Sequence, residues 1–331
     1  MQKRNYAFDV LKVIALMGIV LAHVNPGGLV FQLRNFDVPL MIMISVWLSL
    51  KTINCHNFKY GEYIYSRVKR LITPTWIFLT IYFLIKFSIG ESKSVKDIIM
   101  SYSLIGGIGY VWVIRIYIYV AILTPIINKI YKYLKKYQSI TLVILMYCMY
   151  ILLVNRVNLL SGITKILVTA SIVDFVGYSF VVYVAILIYN LKNKDIIKVG
   201  LLFGIVFFYL ALKNNFVQTQ NFKYPIKLYY LSYAFFISIF LYLIVDKLNK
   251  NNKLKKCKAI NFISKNSMWI YLWHILFISQ VNNLFTNSNL GYIYRFILLV
   301  LIATIITYIQ NIMKSILRNK SNLNYIAIRK K

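Results

Sequence analysis

Apolar residues gather along this chain into long runs, and the polar segments between them are short and rich in lysine. A helix needs roughly 17 to 25 apolar residues to cross about 30 Å of hydrocarbon at about 1.5 Å per residue. Windows of about that kind occur at Phe8 to Val24, Val38 to Ile53, Leu71 to Ile89, Gly109 to Ile130, Ser139 to Val154, Ser171 to Leu191, Ile197 to Leu212, Ile226 to Val245, Ala259 to Val281 and Gly291 to Met313. The pattern predicts an all-α integral membrane protein, a bundle of about ten transmembrane helices. No low-complexity tract, long linker or internal repeat divides it, so residues 1–331 are expected to form a single transmembrane domain. A short basic tail over about 314–331 follows the last window.

Composition supports the membrane reading and charge gives it an orientation. The chain is 60% hydrophobic and 14% charged, with 39 Lys and Arg against 8 Asp and Glu. A soluble core cannot absorb that much apolar surface. The net charge of +31 raises nucleic acid as a partner, but the basic residues sit between apolar runs and not on one soluble face, so no nucleic acid is expected. Summed over alternate loops, with Lys3 and Arg4 counted inside, the inner segments exceed the outer ones about threefold in Lys and Arg. Both termini are therefore expected in the cytoplasm. The first segment ends in His23, Asn25, Pro26 and Gly27 without small cleavage-site residues, so no cleavable leader is expected. Cys55 and Cys257 in lysine-rich loops and Cys148 in an apolar run suggest no disulfide framework.

Ionisable side chains inside spans are costly and mark function or snorkel to an interface. The first window carries three, Asp9 and then Lys12 and His23 in "VLKVIALMGIVLAHV". Eleven residues at about 100° each make three turns plus roughly 20°, so Lys12 and His23 share a face, and Asp9 is one turn before Lys12. The stripe places His23 roughly 16 Å beyond Lys12, near the outer membrane face. By the same topology Asp174, Arg115 and Arg295 lie near the outer ends of their spans, with Trp112 and Asp37 at the same level. Together they suggest a polar chamber open to the outside in which a hydroxylated substrate could sit. The bland alternatives are snorkelling arginines and, for His274 in "YLWHI" nearer mid-membrane, a hydrogen-bonded packing residue. On the inner side "YSRVKRLITPTW" sets Arg67 and Arg70 one turn apart, just ahead of Pro74. Two guanidinium groups at that spacing can clamp a phosphorylated ligand, although the positive-inside pattern accounts for them without one. His23, His274 and Asp174 show no ligand-spacing motif, so no metal is expected.

These residues resemble a known family. "FDVLKVIALMGIVLAH" is similar to the first helix of the membrane-bound acyltransferase type 3 family, with Lys12 and His23 in its basic and histidine positions and Asp9 in the preceding acidic one. "NFDVPLMIMISVWLSL" resembles its second span through Pro39 and Ser45, with Val46 where a glycine is usual; Arg67 and Arg70 match its Arg-x-x-Arg. "YVWVIRIYIYVAILTP" resembles its fourth helix through Trp112, Thr124 and Pro125, and "ISKNSMWIYLWH" a late helix through Ser267, Tyr271, Leu272 and His274. The resemblance implies an O-acyltransferase that moves an acetyl group from cytoplasmic acetyl-CoA to a hydroxyl of a cell-surface polysaccharide or lipid-linked glycan.

His23 is then the general base or the acyl carrier, since imidazole titrates near neutrality. Arg67 and Arg70 would hold the acetyl-CoA phosphates, Lys12 would line the thioester path, and Asp174 would orient the imidazole or bind the acceptor. Arg115, Trp112, Arg295 and His274 complete the expected acceptor side. A bias toward Ile, Lys, Asn and Tyr points to an AT-rich bacterial genome, hence a multi-pass protein of a bacterial cytoplasmic membrane, in contact with lipid and with a homodimer as its candidate assembly. The rival reading takes the intramembrane charges as the pathway of a transporter or flippase for a lipid-linked glycan or small solute.

Overall fold

The computed structural model describes residues 5–55, 58–251, 254, 256–285 and 290–329, with side chains as far as residue 317. Among the described residues every regular element is helical: α1 (Tyr6–Ala22), α2 (Gly28–Leu33), α3 (Asp37–Ile53), α4 (Tyr60–Ser88), α5 (Val95–Tyr102), α6 (Trp112–Tyr133), α7 (Lys136–Val157), α8 (Gly162–Val168), α9 (Asp174–Tyr189), α10 (Asn193–Lys213), α11 (Leu228–Lys250), α12 (Lys258–Lys265), α13 (Ser267–Asn282) and α14 (Gly291–Arg329). Helices are what an apolar solvent demands, because every backbone polar group must then be satisfied within the segment. Among the described residues eight helical stretches are long and apolar enough to cross a membrane: Gly28–Ile53, Tyr60–Ser88, Trp112–Tyr133, Lys136–Val157, Gly162–Tyr189, Asn193–Lys213, Leu228–Lys250 and Gly291–Leu317. The first and ninth windows hold α1 and α13, of 17 and 16 residues, shorter than the about 20 of a full crossing. These two helices carry His23 and His274.

Boundaries differ from the expected windows for identifiable reasons. α4 begins at Tyr60, so Arg67 and Arg70 lie inside the helix and not ahead of it, and it runs through Pro74 without a break. The ninth window divides at Asn266, where α12 and α13 meet. The sixth extends back through α8 and a π-turn at Thr169–Val173, which leads directly into Asp174. Such π-turns re-aim side chains and recur at functional sites. The expected basic tail after Met313 is a continuation of α14 as far as Arg329. The charges counted at Lys3, Arg4, Lys253, Lys255, Lys330 and Lys331 lie outside the described residues.

α3 is the hub: it packs against α1, α6, α9 and α11. Lipid offers no hydrophobic drive for helix association, so packing contacts and hydrogen bonds hold such a bundle together. Trp47, 1% exposed, supplies both, donating from Nε1 to the Ala185 carbonyl at 2.8 Å and setting its ring edge-on to Tyr242. Gly18 lets α1 approach the start of α3, because a Cβ there would stand 3.0 Å from the Asp37 Cβ. Trp47→Ala is expected to destabilise the bundle by about 3–5 kcal/mol and Trp47→Phe by less. Thermal melting of the purified protein checks this against Ile316→Ala, a side chain 59% exposed, which should leave the melting temperature nearly unchanged.

Candidate functional site

The site is built where α1 ends and α13 runs past it. α1 opens on Asn5, whose side chain accepts from the Ala7 N–H, and closes on His23. The His23 backbone carbonyl accepts from Asn282 Nδ2 at 2.8 Å, and the Asn282 carbonyl accepts from Arg295 at 3.3 Å. His23 is thereby fixed by the end of α13 and the start of α14. Its Nδ1 lies 3.0 Å from His274 Nε2, and His274 Nδ1 contacts the Tyr271 carbonyl. A carbonyl only accepts, so His274 carries its proton on Nδ1 and, neutral, accepts at Nε2. His23 must then donate from Nδ1, which leaves its Nε2 with a free lone pair. His274 is fully buried, whereas His23 remains partly accessible, with the Tyr110 ring edge-on to it at 4.8 Å.

A charged cluster borders this pair. Arg34 donates to Asp37 at 2.9 Å, and Lys223 stands 3.6 Å from the other Asp37 oxygen, all three side chains being at most 5% exposed. Burial pulls the Lys223 ammonium below its ordinary range, and the Asp37 carboxylate opposes that shift. Arg34 and Lys223 act electrostatically on His23, and Asp37 on Tyr117, Tyr224, Tyr230 and Tyr271, so the histidine pair and the cluster share one polar region. The Tyr230 hydroxyl and Arg34 Nε are buried there without a protein partner, and both can donate to a polar ligand. Trp112 packs edge-on against Tyr224 at 5.1 Å. Beyond it Arg115 pairs with Asp174 at 2.6 Å and donates to the Leu104 carbonyl at 2.6 Å. That carbonyl belongs to a turn closed at Gly107, where φ is +68° and a Cβ would stand 2.1 Å from Ser101 Oγ and 2.2 Å from the Asp97 carbonyl oxygen, so only glycine fits.

The opposite end of α1 carries the other expected residues. Asp9 accepts from Ser264 Oγ at 2.6 Å and Lys12 donates to the Ser264 carbonyl at 3.3 Å, which ties α1 to α12. Arg67 lies 5.3 Å over the Tyr63 ring and is half-buried, and Arg70 is exposed. Among the described residues neither arginine is held by a carboxylate within 4.0 Å. Both guanidinium groups therefore keep donors for a ligand.

His23, His274, Arg295 and Trp112 thus converge on one end of the bundle, while Asp9, Lys12, Arg67 and Arg70 lie toward the other. Two expectations shift. Asp174, expected to orient the imidazole or bind the acceptor, is engaged by Arg115, and the group that orients His23 is His274. Arg34, Lys223, Tyr110, Tyr230 and Asn282 enter the site unannounced. Arg34 and Lys223 read as ordinary loop charges, and the tyrosines are hidden among 28. Among the described residues no group of three or more His, Cys, Asp or Glu could hold a metal ion.

The arrangement sets an oriented imidazole beside a buried polar cluster at one end and the Arg67 and Arg70 guanidinium groups toward the other. No curated protein and no solved structure matches the chain significantly. A family model does: the acyltransferase domain matches residues 5–310, nearly the whole chain and every residue of the site. The chain therefore belongs to the acyltransferase 3 family of membrane acyltransferases.

Proposed function

We propose that this membrane acyltransferase transfers an acetyl group from cytoplasmic acetyl-CoA to a hydroxyl of a cell-surface polysaccharide or lipid-linked glycan in a bacterial cytoplasmic membrane. The observation that carries the reading is the relay from the Tyr271 carbonyl through His274 to His23, which leaves His23 Nε2 as an oriented base at the chamber. The positive-inside pattern puts Arg67 and Arg70 in the cytoplasm, at the end opposite His23, with about ten spans and both termini inside. In that frame Arg67 and Arg70 bind the donor phosphates, and Lys12 lines the route of the pantetheine arm toward His23.

The reaction then balances as a direct transfer. The acceptor hydroxyl oxygen bonds to the thioester carbonyl carbon as His23 Nε2 takes its proton. The C–S bond breaks, and the imidazolium returns that proton to the departing thiolate. Arg34 and Lys223 outweigh Asp37 in charge, so the region favours the oxyanion that forms between these steps. The Tyr230 hydroxyl and the Arg115–Asp174 pair offer hydrogen bonds to sugar hydroxyls. Of the intramembrane charges that suggested a transporter, Arg115, Asp174 and Arg295 fall on the acceptor side, and Asp9 and Lys12 tie α1 to α12 at the donor end.

His23→Ala is expected to lower transfer of label from acetyl-CoA to glycan by about 10²–10⁴-fold while the protein still inserts. Wild-type activity in that variant sinks the proposal. Because His274 acts through His23, His274→Ala should lower kcat by roughly ten- to a hundredfold with little change in KM for acetyl-CoA. Paired Arg67→Ala and Arg70→Ala substitutions should do the reverse, raising KM for acetyl-CoA about tenfold or more with kcat largely kept. NMR of O-acetyl groups on surface glycan from cells with and without the gene identifies the acceptor.

A further inference from the structure

A cavity remote from His23 opens between α7 and α10. α7 packs mainly on α9, and α10 packs on α11 through Gly200 and Gly204, which admit Ile239, Phe240 and Phe236 at close range. The facing sides of α7 and α10 are left apart, with α9 as the floor, and enclose about 920 Å³. That is the upper end of the roughly 300–1,000 Å³ of small-molecule sites. The walls are apolar, including Val143, Leu202 and Phe203, and the rim is basic, with Lys132, Lys136 and Lys198 against one carboxylate, Asp195. Lys132 also donates to Asn54, and Lys136 and Lys198 are exposed.

The dimensions point to an occupant. The cavity extends along α7 from Lys136 to Tyr147 and Cys148, eleven to twelve residues or about 16–18 Å, and along α9 from Leu187 back to Phe180, about 10 Å, with Leu191 just beyond that helix. One leaflet of hydrocarbon is about 15 Å deep. At the far end the groove stops at Tyr147, whose hydroxyl accepts from the Leu228 N–H at 2.7 Å. The groove is therefore as deep as one leaflet, closed near mid-membrane and basic where headgroups lie. We propose that it binds an anionic glycerophospholipid, its phosphate on Lys136 and Lys198 and its acyl chains between α7 and α10. Basic pockets between transmembrane helices take anionic headgroups in this way. The proposal does not rest on the acyl-transfer reading.

The test uses the full chain, purified in detergent and exposed to dioleoyl phosphatidylglycerol or dioleoyl phosphatidylcholine, with retained lipid read by native mass spectrometry. The expected result is phosphatidylglycerol retained about tenfold in preference to phosphatidylcholine. Lys136→Gln with Lys198→Gln should remove most of that preference, and Leu202→Trp should remove the retained lipid by filling the groove. Equal retention of both lipids, or variants that bind as wild type, overturns the proposal. So does a dimer without retained lipid that Leu202→Trp disrupts, since a second copy would then occupy the groove. Should Leu202→Trp fail to fold, the lysine pair, exposed and free to change, decides alone.

Discussion

In this fold the buried charges closest to the site are held by opposite charges, because lipid offers them no other partner. Arg34 and Lys223 close on Asp37, Arg115 closes on Asp174, and Lys86, only 5% exposed, reaches Glu91 at 2.5 Å. Breaking such a pair leaves an uncompensated buried charge, which costs far more than the intact pair contributes to stability. The pairs therefore constrain where helices begin relative to one another. Arg34 and Asp37 join the short connection before α3 to the Lys223 segment before α11, and Arg115–Asp174 joins the first turns of α6 and α9. The helix ends around the chamber are held by charge, and the middle of the bundle by the packing of α3.

Close packing and charge pairing meet at Gly18. Its missing side chain lets α1 settle against Asp37, so the helix that carries His23 is registered against the carboxylate that organises the neighbouring cations. A methyl group at that point would press on the Asp37 side chain itself. The same economy of space recurs at Gly200 and Gly204, where α10 is drawn so closely onto α11 that its opposite face is left open beside α7.

Much of this was legible in the sequence, because a bilayer imposes a period and a length that apolar runs display directly. Among the described residues eight of the ten windows fall in helical stretches long and apolar enough to cross a membrane, and the first and ninth hold the shorter α1 and the pair α12 and α13 meeting at Asn266. The common face of Asp9, Lys12 and His23 was readable from spacing alone, and Asp9 and Lys12 share Ser264 as expected of neighbours on one stripe. Contacts between distant segments were not readable. His23 and His274 are 251 positions apart, and nothing local to "YLWHI" distinguishes a relay histidine from a packing one. Asp174 shows the same limit: a short acid near a span end gives no local sign that Arg115, 59 positions earlier, pairs with it. Helix starts in polar sequence, such as α4 at Tyr60, also escaped the hydropathy pattern, since eleven residues of that helix precede its apolar window.

In the mechanism we propose, a histidine serves where a carboxylate is the more familiar partner of a catalytic imidazole, and the setting accounts for it. A buried carboxylate beside His23 would add a charge that needs its own cation, in a region already crowded with Arg34, Asp37 and Lys223. His274 fixes the tautomer of His23 without charge, because the Tyr271 carbonyl one turn earlier on the same helix fixes its own. The relay thus terminates on backbone, the one acceptor that a transmembrane helix supplies at every position. It needs no further polar group to sustain it, which suits a base placed where the end of α1 meets α13.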